Sequence, residues 1–209
     1  MRELLWRYLA RLLTAGRYKR VANWVVNRAK RTPYLHLDGY MNRWWLFNPY
    51  QDSDGKPVEQ NWLMRRLPSI RVHQILRADH DQHMHDHPWD ARTIILFGGY
   101  IEQVEDGSCH QRSRGDTRAI RFGEYHRIIN IHDTPVYTLF FTWQYMGVWG
   151  FLVDGEKVPW REYLAAHPAR DHGNEALAVN DCDCVDCGGT APGHSPGCSY
   201  MAELHGDEA

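Results

Sequence analysis

The sequence predicts an all-β, antiparallel core with a helical segment on its N-terminal side and a cysteine-rich tail on its C-terminal side. Three observations lead there. Between Ile70 and Val153, short apolar runs alternate with Gly, Asp, Asn and Pro and no helical period intervenes, which is the pattern of an antiparallel sandwich or barrel. Residues 2–31 carry apolar side chains at three- and four-residue spacing, the period of an amphipathic helix. After Arg170 the chain turns polar, acidic and Gly-rich, and it holds four of its five cysteines there.

The elements follow in order. Leu4, Leu5, Tyr8, Leu12 and Leu13 form one helical stripe, and Val21, Trp24, Val25 and Ala29 form a second after a break near Gly16. Thr32-Pro33 ends the helix, because the residue before proline is driven out of helical geometry. Residues 43–47 read as a strand and 51–55 as a loop. The β region then offers strands at 70–76, 93–97, 100–104, 118–122, 128–131, 136–143 and 148–153, and a short helix opens at 159–164. The chain therefore divides into a basic helical segment (1–33), a β domain (34–170) and an acidic tail (171–209).

Composition excludes several classes. A chain of 209 residues with 43% hydrophobic and 24% charged residues can bury one sizeable core and is not disordered throughout. No run approaches the length of a bilayer-spanning helix, and arginines interrupt the apolar N-terminus, so neither a membrane span nor a secretory signal is expected. Residues 1–33 carry nine Lys or Arg against one acid, Glu3, whereas 171–209 carry eight acids and no Lys or Arg. The apolar face of the basic helices is expected to pack on the β domain or on a second subunit, giving a homodimer, in preference to nucleic acid or an anionic membrane. Crowded cysteines suit a reducing, cytoplasmic setting and a metal clip better than a secreted disulfide framework. In the tail, Cys184, Cys187, His194 and Cys198 could hold a structural zinc ion, with Cys182 able to replace His194.

Chemistry concentrates in residues 79–99, DHDQHMHDHPWDARTIILFGG, where His83, His85 and His87 alternate and on a strand would share one face. A second stretch, GDTRAIRFGEYHRIIN, runs from Gly115 to Asn130. Together they resemble the two motifs of the cupin superfamily. The first family motif is Gly, five residues, His-x-His, three or four residues, Glu, six residues, Gly; here His85-x-His87 is followed by four residues, Arg92, six residues and Gly99, with Asp79 at the first glycine. The second is Gly, five residues, Pro-x-Gly, two residues, His, three residues, Asn; here it reads Gly115, five residues, Arg121-x-Gly123, two residues, His126, three residues, Asn130.

The resemblance implies an antiparallel β-barrel of jelly-roll type over residues 70–153, with His85, His87 and His126 facing its interior as ligands of a divalent metal: Fe, Ni, Cu or Zn. Arg92 at the glutamate position cannot be a ligand, since a guanidinium has no lone pair. It either clamps the carboxylate or phosphate of a small anionic substrate beside the metal, or points outward and pairs with a surface acid. A competing register, His83-x-His85 with Asp90, restores a carboxylate but loses the glycine. Among the clustered His80, His83, His85 and His87, none has an acid two residues later, which disfavours the His-x-Asp or His-x-Glu triad of the 2-oxoglutarate oxygenases. The implied function is a metal-dependent, oxygenase-type reaction. The alternatives are a non-catalytic ligand-binding or interaction module, and a metal-free epimerase of sugar nucleotides that pairs His126 with Tyr125 or Tyr137 for proton transfer.

Overall fold

The break near Gly16 separates two helices, α1 (Arg2–Thr14) and α2 (Lys19–Ala29). This computed structural model describes residues 2–16, 19–167 and 183–184. The helices are followed by β1 (Met41–Phe47), a 3-10 turn (Met64–Arg66), β2 (Ser69–Ile75), β3 (Trp89–Val104), β4 (Ser108–Arg112), β5 (Thr117–Ile120) and β6 (His126–Tyr145). A hairpin of β7 (Gly150–Val153) and β8 (Glu156–Pro159), helix α3 (Trp160–Ala166) and a two-residue β9 (Asp183–Cys184) complete the order. One sheet runs β1-β2-β6-β3-β4-β9, with β5 paired to another stretch of β3, and β7–β8 forms a separate ribbon. Every pair is antiparallel except β4–β9. Among the described residues the paired strands do not close into the expected barrel; His85 links the main sheet to the ribbon by bridging both His126 and Phe151.

Strand alternation gives this sheet two apolar faces. Val72, Ile94, Leu96, Leu139 and Phe141 pack with Ala10, Ala22, Val25, Val26 and Ala29, so the stripe of the basic helices is buried on the sheet. Trp6 meets Phe141 edge-on at 5.1 Å. The opposite face holds Ile75, Ile95, Tyr100, Ile128 and Val136, and beside them Ala91, Ile120 and Phe140.

Two pairs of expected strands turn out to be single long ones. The glycines at 98 and 99 read as a turn, yet β3 continues through them beside β6, with register shifts on both sides. Gly98 has φ +69°, and a Cβ there would lie 2.5 Å from the Asp133 carbonyl oxygen, so this bulge needs glycine. The bulge also changes parity. Ile95 and Tyr100, five apart, share one cluster, and the residues that follow face inward at even positions. The tail zinc clip falls outside the described residues apart from the backbone of Cys184. Cys109 on β4 is disulfide-bonded. No helix among the described residues is long and apolar enough to cross a membrane.

Replacing Gly98 by Ala combines a positive φ with a backbone clash and should cost about 2–4 kcal/mol. Chemical denaturation should show a lowered midpoint with an unchanged slope.

Candidate metal centre

Residues 79–88 form no long strand, so their position depends on specific bonds. Asp79 donates its N–H to the Ile128 carbonyl (2.8 Å), and its carboxylate accepts the Ile128 N–H (2.7 Å) and the Tyr40 hydroxyl. His85 and His126 exchange two backbone hydrogen bonds of 3.0 Å. Asp86, fully buried, accepts from the Gly150 N–H (2.7 Å) and from Lys157 Nζ (2.5 Å). With Asp86 held toward the ribbon, His85 and His87 project to the other side, where His126 arrives from the start of β6.

The three imidazoles converge. One ring nitrogen from each lies within 4.8 Å of the others, and the Nε2 atoms of His87 and His126 are 2.9 Å apart. Burial pushes both His85 and His87 below the usual imidazole range, strongly so for His87, so both are neutral near pH 7 and keep a lone pair to offer. His126 is oriented from behind: its Nδ1 lies 2.7 Å from Oε1 of buried Glu102. A carboxylate accepts the Nδ1–H, which leaves Nε2 bare toward the centre. Burial alone would raise the Glu102 carboxyl. The His126 hydrogen bond and the charges of Arg118 and Arg112 outweigh it and hold the carboxyl at about 2. Arg112 Nε donates to Oε2 at 2.9 Å, and Arg118 donates to Oε1.

The remaining expected residues lie elsewhere. Arg92 pairs in register with Phe141, on the helix-covered face. Its guanidinium reaches Glu3 of α1 (2.6 and 3.1 Å) and Thr117 (3.2 Å) and lies over the Trp6 ring. The substrate-clamp reading of Arg92 is thus corrected to the outward one. The residue on the histidine face is its neighbour Ala91, packed with Phe140, which fits the three-residue motif spacing and places Gly98 at the final glycine. Tyr137 also sits on the helix face, where its hydroxyl accepts from Lys30 (3.0 Å), so it forms no proton-transfer pair with His126. Tyr125 is buried, and burial first, then Asp86 and Glu105, pushes its phenol up to about 12. His83 lies 3.0 Å from the Tyr163 hydroxyl and Asp90 bonds Arg121 and the Phe122 N–H, so the competing register is not assembled.

Three side chains escaped the sequence reading. Glu102 was hidden by the bulge, which turns it inward. Arg71 and His73 alternate within β2 between Ile70, Val72 and Ile75, and that was a usable signal. Both are buried on the histidine face, Arg71 in register with Phe140 and His73 stacked on that ring at 4.8 Å.

By sequence the chain matches no protein-family model and no curated protein. Solved structures do match. A cupin-like protein from Thermotoga maritima is 15% identical over 66% of this chain and 96% of its own, with a TM-score of 0.36. A cupin 2 conserved barrel domain protein from Rhodopseudomonas palustris is 13% identical over 59% and 77%, with a TM-score of 0.40. The chain is similar to cupin-fold proteins. It also matches a DMSP lyase from Ruegeria pomeroyi at 18% identity over 57% of this chain, with a TM-score of 0.36, and spans half the length of that enzyme (50%).

Against the cupin motif, the donor set is three imidazoles, with Glu102 one bond further out. Glu102→Gln leaves an amide among two arginines and loses the fixed Nδ1–H acceptor. Metal affinity in a competition titration should fall about 10–100-fold. Arg92→Ala should leave metal content unchanged while costing about 1 kcal/mol, the upper end for an ion pair whose acid, Glu3, is half-exposed.

Proposed function

We propose that this chain is a metal-dependent cupin-type enzyme, carrying out oxygenase-type chemistry on a small anionic substrate at His85, His87 and His126. The observation that carries this reading is the convergence of three imidazoles, one of them backed by a buried carboxylate. The residues fit an ion: His85 and His87 held neutral by burial, an orienting carboxylate on His126, and no lysine or arginine bonded to the ring nitrogens that face the centre among the described residues. Imidazoles suit Fe, Ni, Cu or Zn. Bound there, such an ion supplies Lewis acidity and, if it is iron, redox chemistry with O2.

The chain's own residues do the rest. Glu102 keeps the His126 proton on Nδ1, so that ring stays in one tautomer. Asp79, 3.9 Å from His85 Nδ1 and anchored by the Ile128 N–H, biases His85 in the same way. The rings of Phe140 and Trp89 line the approach to His87, at 5.5 and 6.5 Å between centroids, and exclude water from that side.

Elemental analysis of protein purified without added metal tests the reading. About one equivalent of Fe, Ni or Cu is expected, lost in His126→Ala while the circular dichroism of the sheet is kept. Unchanged metal content in His126→Ala would overturn it.

A further inference from the structure

Four residues around Phe140 carry buried polar atoms that meet no hydrogen-bond partner among the described residues: Arg71 (Nε and Nη2), His73 Nε2, Trp89 Nε1 and Thr142 Oγ1. Such atoms are rare in a folded core, and they gather here in one place. Arg71 is only 2% exposed and forms no ion pair with any described residue. Its guanidinium carbon lies 4.9 Å from the Trp89 ring, 5.3 Å from Phe140 and 5.4 Å from Trp45. Rings cover the faces of a guanidinium by cation–π attraction, but they leave its in-plane N–H groups unanswered. The unanswered pair is Nε and Nη2, which lie side by side along one edge.

We propose that Arg71 seats the carboxylate of a small substrate, with the Nε–Nη2 edge as a two-pronged donor and Trp89, His73 and Thr142 as its polar surround. The donor chemistry selects the ligand. Arg71 and Trp89 can only donate, so their partner must supply several acceptors and no competing protons. A planar carboxylate meets a guanidinium edge with two parallel bonds in the plane that the flanking rings leave free, whereas a tetrahedral phosphate projects out of that plane toward the rings. The seat adjoins the imidazoles: Trp89 stacks on His87 at 22°, and Phe140 touches both His73 and His87. This deepens the reading of the histidines as the reacting centre and rests on it for the word substrate. It also moves the anion anchor from Arg92, on the far face, to Arg71.

Calorimetric titration of the full-length protein tests it, once stripped of metal by a chelator and once loaded with Ni(II). Acetate, benzoate, benzamide and inorganic phosphate are the probes. Both carboxylates should bind both forms, with benzamide at least about tenfold weaker than benzoate and phosphate weaker than either carboxylate. Arg71→Met keeps an unbranched stem against the rings and should lose about 10–100-fold for carboxylates, with metal content and circular dichroism as in the wild type. If Arg71→Met does not fold, Trp89→Phe keeps a ring and removes one N–H, and should weaken benzoate about threefold to tenfold while leaving benzamide unchanged. Equal binding of benzoate and benzamide, phosphate binding tighter than carboxylate, or unchanged affinity in Arg71→Met overturns the seat. Metal uptake lost in His126→Ala with no carboxylate binding also overturns it and leaves the metal reading intact. Carboxylate binding through Arg71 in a protein that takes up no metal has the opposite meaning.

Discussion

A full negative charge inside a sheet is tolerable only where counter-charges and hydrogen bonds replace the water it gives up, and Glu102 is such a charge. Its carboxylate stands on β3 and is met by Arg112 from β4, Arg118 from β5 and His126 from the first position of β6. One side chain therefore joins four strands. Those strands can assemble around the carboxylate in one register, because a slip by a single residue would turn each partner to the other face. The orientation of the His126 ring is then a by-product of satisfying a buried charge, and the centre takes its rigidity from the same bonds that fix the sheet.

The sheet separates two tasks. One face is sealed by α1 and α2, and its buried cation, Arg92, is neutralised by Glu3 from the helix that covers it. The other face collects the histidines, Glu102 and Arg71. Neighbouring residues such as Ala91 and Arg92 belong to different tasks although one peptide bond joins them, and the pairing with Thr142 and Phe141 on β6 shows which is which.

What could be read in the sequence follows from this division. The three converging histidines were legible because His-x-His and the later His126 carry their information in short spacings. The helices were legible from a period of apolar residues, and the break at Gly16 divides them as expected. The two long strands were not, because Gly98-Gly99 within β3 and the Asp133–Pro135 stretch within β6 look like turns and act as irregularities within continuous ladders. Arg92 was then placed at the glutamate position by counting along the chain, and Glu102 was passed over. Across a bulge, counting loses parity, and only the partner strand restores it.

Asp86 sits between two of the histidines and points away from them, into the hairpin that follows β6. Beyond it, Phe151 lies 3.8 Å from the stacked ring of Tyr163 on α3, whose hydroxyl reaches His83. The hairpin, the last helix and the histidine segment are thus one linkage, tied at Met84 to Leu152, at Asp86 to Gly150 and at His83 to Tyr163. Whatever pulls on the chain beyond α3 pulls, through Tyr163, Phe151 and Asp86, on the spacing of the imidazoles themselves.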